Sequence, residues 1–182
     1  MSDAAAQPAA GRDRHGHALS EEDSGRADFY ALLGRLFYAA PDAALLDAIA
    51  GGTAEQDDGA AGALPAAWAR LRAASRAATP DSVKEEHDAL FIGVGKAPVT
   101  PYTSGYVAQV APDRHLLQLR ELLGQWGLGR QDGVFDSEDH ISGLCDVMRF
   151  LISKNQPLEM QKRFFDDYVL TGALPLCDAV IA

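Results

Sequence analysis

The sequence has little cysteine and no pattern of metal-binding pairs. It contains two cysteines, Cys145 and Cys177, and no CxxC or CxxH spacing. Zinc sites and secreted disulfide scaffolds need several such residues at short spacing, so neither class is supported. Both cysteines lie in apolar stretches of helical character, and we expect them to be reduced thiols in the core. We predict neither a bound metal nor a cofactor.

Long apolar runs are also missing. No stretch reaches the roughly 18 residues that a membrane-spanning helix requires. The N-terminus lacks the charged segment followed by an apolar segment that marks a secretory signal. It also lacks a twin-arginine pair, because Asp13 separates Arg12 from Arg14. We therefore expect a cytoplasmic protein that does not insert into membranes.

Basic residues are scarce relative to acidic ones. The chain has 16 Lys and Arg against 26 Asp and Glu, a net charge of -10 at pH 7. Such a surface repels nucleic acid and anionic lipid and tolerates or favours a basic partner. Hydrophobic residues make up 47% of the chain, enough for a globular core.

The pattern of apolar residues predicts an all-α protein. Residues 1–24 combine Ala, Gly, Pro and charge without periodicity, which is typical of a disordered tail. Residues 25–182 are predicted to form a single domain of about seven or eight helices. Apolar residues recur there at helical spacing, and no alternating strand pattern occurs. The first helix should bury Phe29, Leu32, Leu33, Leu36 and Phe37, and later helices should bury Trp68 and Trp126.

A segment rich in Gly and Pro interrupts the helices. The central segment, "IGVGKAPVTPYTSGYV" (residues 92–107), carries too many breakers for a helix. It lacks GK[ST] and a preceding strand, so a nucleotide-binding loop is not supported. We predict a long ordered loop carrying Tyr102 and Tyr106, and such loops are often functional.

Acidic residues and a histidine precede a strongly amphipathic helix. The helix should bury one face, made of Ile141, Leu144, Cys145, Met148 and Ile152. Ahead of it lies the acidic turn, "DSEDH" (residues 136–140). Asp136 or Ser137 is the expected N-cap, and Glu138 and Asp139 complement the helix dipole. Two interpretations stay open. Helix capping accounts for the acids but not for His140, whereas a functional pair of Asp139 and His140 would account for the histidine as well.

An enzymatic site is not supported by the residues. His87, His115 and His140 are candidate bases, but Ser104 lies in no GxSxG turn and Cys145 is on a buried helix face. We expect His87 on a solvated face and His115 at the surface of a first helical turn. No catalytic residue is predicted, and the residues alone indicate an all-α binding module.

Three segments together resemble the TorD-like chaperones. Residues 85–107 resemble that family's E-Y-x-x-L-F-x-G and P-Y-x-S-x-Y motifs, and residues 137–151 resemble its E-P-x-D-H helix opening. Residues 161–180 resemble its closing F-x-x-H-x-x-P-W segment. The order and separation of the three segments agree with the family over about residues 26–182. The first motif falls on Glu86, Leu90, Phe91 and Gly93, which have a mainly structural role in the family.

The resemblance implies a function. TorD-like proteins are all-helical chaperones that bind the twin-arginine leader of a molybdenum or tungsten oxidoreductase and hold the subunit during molybdopterin insertion. They occur as monomers or domain-swapped dimers. The residues of these motifs most resemble those of members associated with formate dehydrogenases. Carried over by position, the leader-binding region comprises Asp136, Glu138, Asp139, His140, Tyr102, Ser104 and Tyr106.

The sequence departs from the family at several motif positions. His87 replaces an aromatic residue, and Ser137 replaces the proline of E-P-x-D-H. The closing histidine, proline and tryptophan are Tyr168, Thr171 and Gly172 here. This altered closing segment motivates an alternative function. The protein would then be an assembly factor that does not bind the leader and that acts on the enzyme body or on cofactor delivery.

Overall fold

The computed structural model describes residues 19–52, 62–92, 97–107, 112–129 and 136–182. Within these ranges the chain is helical and contains no β-strand, so the all-α prediction is confirmed. Gly93 and the first 18 residues of the predicted tail lie outside them. None of the described helices is long and apolar enough to cross a membrane. The α-helices are α1 (Glu21–Tyr38), α2 (Ala43–Gly51), α3 (Ala63–Ala77), α4 (Pro80–His87), α5 (Ser104–Val107), α6 (Pro112–Gln125), α7 (Ile141–Ser153), α8 (Leu158–Phe164) and α9 (Thr171–Ile181).

Two π-helical segments extend α-helices. Asp88–Ile92 continues α4, and Phe165–Leu170 joins α8 to α9. By its contacts the chain divides into two compact units. One unit is Met1–Gly34 with Pro101–Ala182, and the other is Arg35–Thr100. The boundary after Gly34 falls inside α1, and the candidate site residues of the acidic turn and of residues 102–106 all belong to the first unit.

Helix α7 forms the centre of the first unit. The predicted face is confirmed, since each of its residues is at most 3% exposed. Helix α8 and the π-helical segment Phe165–Leu170 both pack against α7. Burial of such aliphatic and aromatic side chains contributes about 1.5–3 kcal/mol each. The buried side chains of this core are Leu119, Leu123, Ile141, Leu144, Cys145, Met148, Leu151, Ile152, Phe164, Val169 and Leu176.

Helix α1 differs from its prediction in two ways. Its fully buried residues are the small Ala27 and Gly34, whereas Phe29 is 38% exposed. A Cβ at Gly34 would lie 3.4 Å from the Cβ of Cys145, so α1 approaches α7 closely at Gly34. The other large residues of the predicted face are half-buried, namely Leu32, Leu33, Leu36 and Phe37. The helix also begins at Glu21, inside the predicted tail of residues 1–24, because the Ser20 hydroxyl accepts from the Asp23 N–H at 3.0 Å.

The second unit contains α2, α3 and α4. Helices α2 and α3 pack against each other, and Thr79 is the N-cap of α4. The Thr79 and Ser82 side chains each accept from the other's backbone N–H, which completes a capping box. Beyond α4, the rings of Phe91 and Phe37 meet edge to face, with centroids 6.2 Å apart.

Three core predictions are wrong. Trp68 and Trp126 are both half-buried, because an indole is large and is rarely enclosed completely. Cys177 is exposed, since it follows the inward-facing Leu176 and points about 100° around the helix from it. Cys145 is buried, as expected, and both cysteines are free thiols.

Gly172 lies inside a continuous helical stretch and has a packing role there. The chain continues from Phe165–Leu170 into α9 through this buried residue. A Cβ at position 172 would lie 2.3 Å from the Cβ of Thr103 and 2.9 Å from its Cα, far inside van der Waals contact. The missing side chain therefore lets α9 approach Thr103.

Replacing Gly172 tests this close approach. Gly172→Ala should lower the free energy of unfolding by about 1–3 kcal/mol, because the added methyl group overlaps Thr103. Gly124→Ala is the control, since nothing lies within 4 Å of its Cβ position in α6 and alanine there should raise stability by about 0.5–1 kcal/mol. Denaturant unfolding measures both values, and a neutral effect at position 172 would contradict the packing.

Candidate functional site

Backbone hydrogen bonds join the central segment to the acidic turn. The Thr103 N–H donates to the Asp139 carbonyl, and the Ile141 N–H donates to the Pro101 carbonyl, both at 2.9 Å. These bonds form an isolated antiparallel bridge between Tyr102 and His140. Two stretches that lie more than 30 residues apart in the chain therefore meet side by side.

The central segment was predicted to be a loop throughout, and this prediction is wrong for its last residues. It ends in the short helix α5, in which the Thr103 carbonyl accepts from the Tyr106 and Val107 N–H groups at 3.0 and 3.3 Å. Sequence reasoning missed this helix because Gly105 lies inside it. Ser104 is its first residue, which brings both the backbone N–H and the hydroxyl of Ser104 to the acidic turn.

The cap of α7 is His140 instead of Asp136 or Ser137. The His140 backbone is extended, with φ -61° and ψ 131°, and its Nδ1 accepts from the Ser142 N–H at 3.2 Å. The bridge to Tyr102 holds His140 in this conformation, so the helix can begin only at Ile141. Aspartate and serine are the usual caps, and a tertiary contact overrides that preference here.

Each acid of the turn has a different partner. Asp136 accepts from the Tyr102 hydroxyl at 2.8 Å. Glu138 accepts from the Nε of Arg120 at 2.7 Å. Asp139 accepts from the Ser104 N–H at 3.3 Å and from the Ser104 hydroxyl through the same oxygen, Oδ2. The three carboxylates are thus held in place from three directions.

Asp139 is far more enclosed than the other two acids. It is 1% exposed, and its Oδ1 has no hydrogen-bond partner among the described residues. The backbone carbonyl of Asp139 accepts from both the N–H and the hydroxyl of Thr103. A buried carboxylate oxygen without a donor is unfavourable and is uncommon in folded proteins.

The charge states of His140 and Tyr102 follow from burial. Burial lowers the pKa of His140, and the charges of Asp136 and Asp139 oppose this effect. A neutral imidazole agrees with its role as acceptor for Ser142. Burial and the bond to Asp136 raise the pKa of Tyr102 to about 12, so its hydroxyl keeps the proton it donates. The two rings meet edge to face at 5.1 Å.

Two other histidines are wrongly predicted as surface residues. The His87 side chain is only 12% exposed, and its ring lies 5.0 Å from that of Phe91. The resembling family has an aromatic residue at this position. That feature of the sequence could have indicated that the His87 ring packs against other side chains. His115 is half-buried, with its ring 5.1 Å from that of Tyr168. No local pattern indicates the His115 contact, because Tyr168 lies far along the chain.

The other motif residues are less buried. Glu86 is exposed on α4, while Leu90 and Phe91 are half-buried on the π-helical segment Asp88–Ile92. Tyr106 is half-buried on α5. Within the described part of the chain, no group of three or more His, Cys, Asp or Glu is arranged to hold a metal ion.

Comparison with known families decides the relationship. A family model described as "Nitrate reductase delta subunit" matches residues 57–171. The chain belongs to this family. The match covers the central segment and the acidic turn and ends just before Gly172. A search of curated proteins finds no match.

The family relationship confirms the resemblance to TorD-like redox-enzyme maturation chaperones. Members of the nitrate reductase delta family are molybdoenzyme maturation chaperones, which work with catalytic subunits as assembly factors and not as catalysts.

The buried histidines predict a pH-dependent stability. Burial lowers the pKa of both His115 and His140, so the folded chain binds fewer protons than the unfolded chain just below pH 6.5. The free energy of unfolding should therefore be highest above about pH 6.5 and should fall as the pH drops below that value. Denaturant unfolding at several pH values measures the slope.

The double variant His115→Gln/His140→Gln should flatten this slope, because it removes both titrating groups. A slope that is unchanged in the variant, or a wild-type stability that rises on acidification, would contradict the assignment.

Proposed function

We propose that this protein is a cytoplasmic chaperone that binds the twin-arginine leader of a molybdenum or tungsten oxidoreductase catalytic subunit. It holds the subunit while the cofactor is inserted before export, and a formate dehydrogenase is the proposed client. The proposal rests on the family membership and on one observation above all. The acidic turn is hydrogen-bonded to Tyr102 and Ser104, and these bonds fix the positions of its carboxylates before a ligand binds.

The contacts of the acidic turn suit a guanidinium ligand. Glu138 already binds the guanidinium of Arg120 at 2.7 Å, so the turn is stereochemically able to accept such a group. Asp136 is bonded to a neutral hydroxyl, and this contact does not compensate its charge. Arginine to carboxylate bonds are charge-assisted and bidentate, and they are among the stronger polar contacts.

The remaining candidate residues have supporting roles in the proposal. Ser104 orients Asp139, and His140 begins α7 and bridges to Tyr102. Tyr102 and Tyr106 are both half-buried and provide aromatic surface for the apolar stretch that follows the arginines of a leader. The net charge of -10 would accelerate encounter with a cationic peptide.

One observation favours the alternative of a leader-independent assembly factor. The altered closing segment is occupied by internal packing. Tyr168 lies against both His115 and Phe164, and Gly172 lies against Thr103. Such a factor would bind an apo catalytic subunit from which the leader has been deleted, whereas a leader-dependent chaperone would lose that binding.

Calorimetric titration with synthetic leaders tests the main proposal. A leader from a formate dehydrogenase catalytic subunit should bind, and replacing its two arginines by glutamine should weaken binding. Asp136→Asn and Glu138→Gln should each reduce affinity by about tenfold, or about 1.4 kcal/mol, through loss of a charge-assisted contact.

Asp146→Asn is the matched control. Asp146 is an exposed acid on α7 that pairs with Arg149 at 3.0 Å, and its neutralisation changes the net charge by the same amount. An equal loss of affinity in this control would show that the losses at Asp136 and Glu138 come from general electrostatic attraction and not from specific contacts. Absence of binding to any leader by the folded protein would refute leader recognition.

A further inference from the structure

Half of the unpaired polar atoms belong to Asp139 and to two residues that are connected to it by the acidic turn or by packing between α5 and α6. Six buried side-chain nitrogen and oxygen atoms in the described residues lack a hydrogen-bond partner, and three of them are Asp139 Oδ1, Ser137 Oγ and His115 Nε2. Folded proteins contain few such atoms, and each one needs an explanation. A ligand with several hydrogen-bond donors would complete all three.

Tertiary contacts bring the three side chains into this region. Ser137 and Asp139 belong to one turn, closed by the His140 N–H bond to the Ser137 carbonyl at 3.0 Å. His115 lies on α6, and α6 packs against α5, whose first residue holds the other oxygen of Asp139. The charge of Asp139 also reaches the His115 ring, where it acts to raise the pKa against the larger lowering caused by burial.

The depth of the three residues is graded. Asp139 is 1% exposed, whereas Ser137 and His115 are only half-buried. The carboxylate is therefore the most enclosed of the three groups, and the residues that carry the hydroxyl and the imidazole are more exposed. This gradient suits a long side chain that carries its charge at the tip.

The chemistry of the three atoms selects the ligand. A carboxylate oxygen only accepts hydrogen bonds, and a hydroxyl oxygen and a neutral imidazole nitrogen can both accept. A guanidinium group has five donors and no acceptor, and it is always charged at physiological pH. We propose that Ser137, Asp139 and His115 form a buried acceptor site for one arginine guanidinium of the partner. The identity of that partner as a leader rests on the function proposed above.

The proposed site should respond to pH. The charged or titratable groups acting on His115 are Asp139 and Asp167, with the Tyr168 ring packed on it, and those near Asp139 include His140 and Tyr102. Asp167 is directed to Arg163 at 3.6 Å. A neutral His115 leaves the Asp139 charge for the guanidinium, whereas a protonated His115 compensates that charge itself. Guanidinium binding should therefore weaken as His115 becomes protonated.

A small probe tests the site without any leader. The histidine ring signals of the full-length protein would be followed by NMR during titration with N-acetyl-arginine amide, after assignment with single His→Gln variants. The probe should shift the His115 signals saturably, and Asp139→Asn should abolish the shift. N-acetyl-citrulline amide has the same shape without the charge and should have no effect. An equal response to both amides, or no response, would overturn the site and assign the unpaired atoms to water.

Leader titration separates this inference from the proposed function. His115→Phe keeps a ring against Tyr168 but removes the nitrogen, and it should weaken leader binding by about tenfold at neutral pH. His87→Phe is the control, since His87 also has buried unpaired ring nitrogens but lies in the Arg35–Thr100 unit.

The outcomes are distinguishable. A leader that binds wild type and His115→Phe equally overturns the His115 site and leaves the proposed function standing. A His115 response to the arginine amide without binding of any leader supports the guanidinium site and removes the leader as its ligand.

Discussion

The antiparallel bridge between Tyr102 and His140 is the contact on which the candidate site depends. It pairs the backbones of Thr103 and Asp139, and Thr103 in turn lies against Gly172. Three sequence segments that are far apart in the chain therefore meet around one pair of residues. The bridge also delays the start of α7 to Ile141, which leaves the acids of the turn to bind side chains instead of capping a helix.

The fold was predictable where one helix face dominates the energetics. The buried face of α7 follows from strong periodicity, and the Thr79 cap of α4 follows from local chemistry. Predictions failed where packing between elements decides the outcome. Helix α1 approaches α7 through Gly34, and the large apolar residues of its predicted face are half-buried or exposed. The sequence of α1 shows the large residues clearly but does not show which side of the helix has a close neighbour.

The candidate site was predictable in its residues but not in its contacts. The motif spacing identified the acids, Tyr102 and Ser104. It could not reveal that Asp139 is buried beneath Ser104 or that His115 belongs to the same region, because both facts depend on long-range packing. Packing also explains two of the departures from the family in the closing segment. Gly172 leaves room for Thr103, and Tyr168 fills the space between His115 and Phe164.

The central claim is that a cationic leader binds where the acidic turn meets Tyr102 and Ser104. Hydrogen–deuterium exchange on the full-length protein, with and without a twin-arginine leader, tests this location most directly. The account predicts slower exchange in residues 102–107 and 136–142 with the arginine leader, and no change with its glutamine version. Protection confined to the Arg35–Thr100 unit, or equal protection by both peptides, would contradict it.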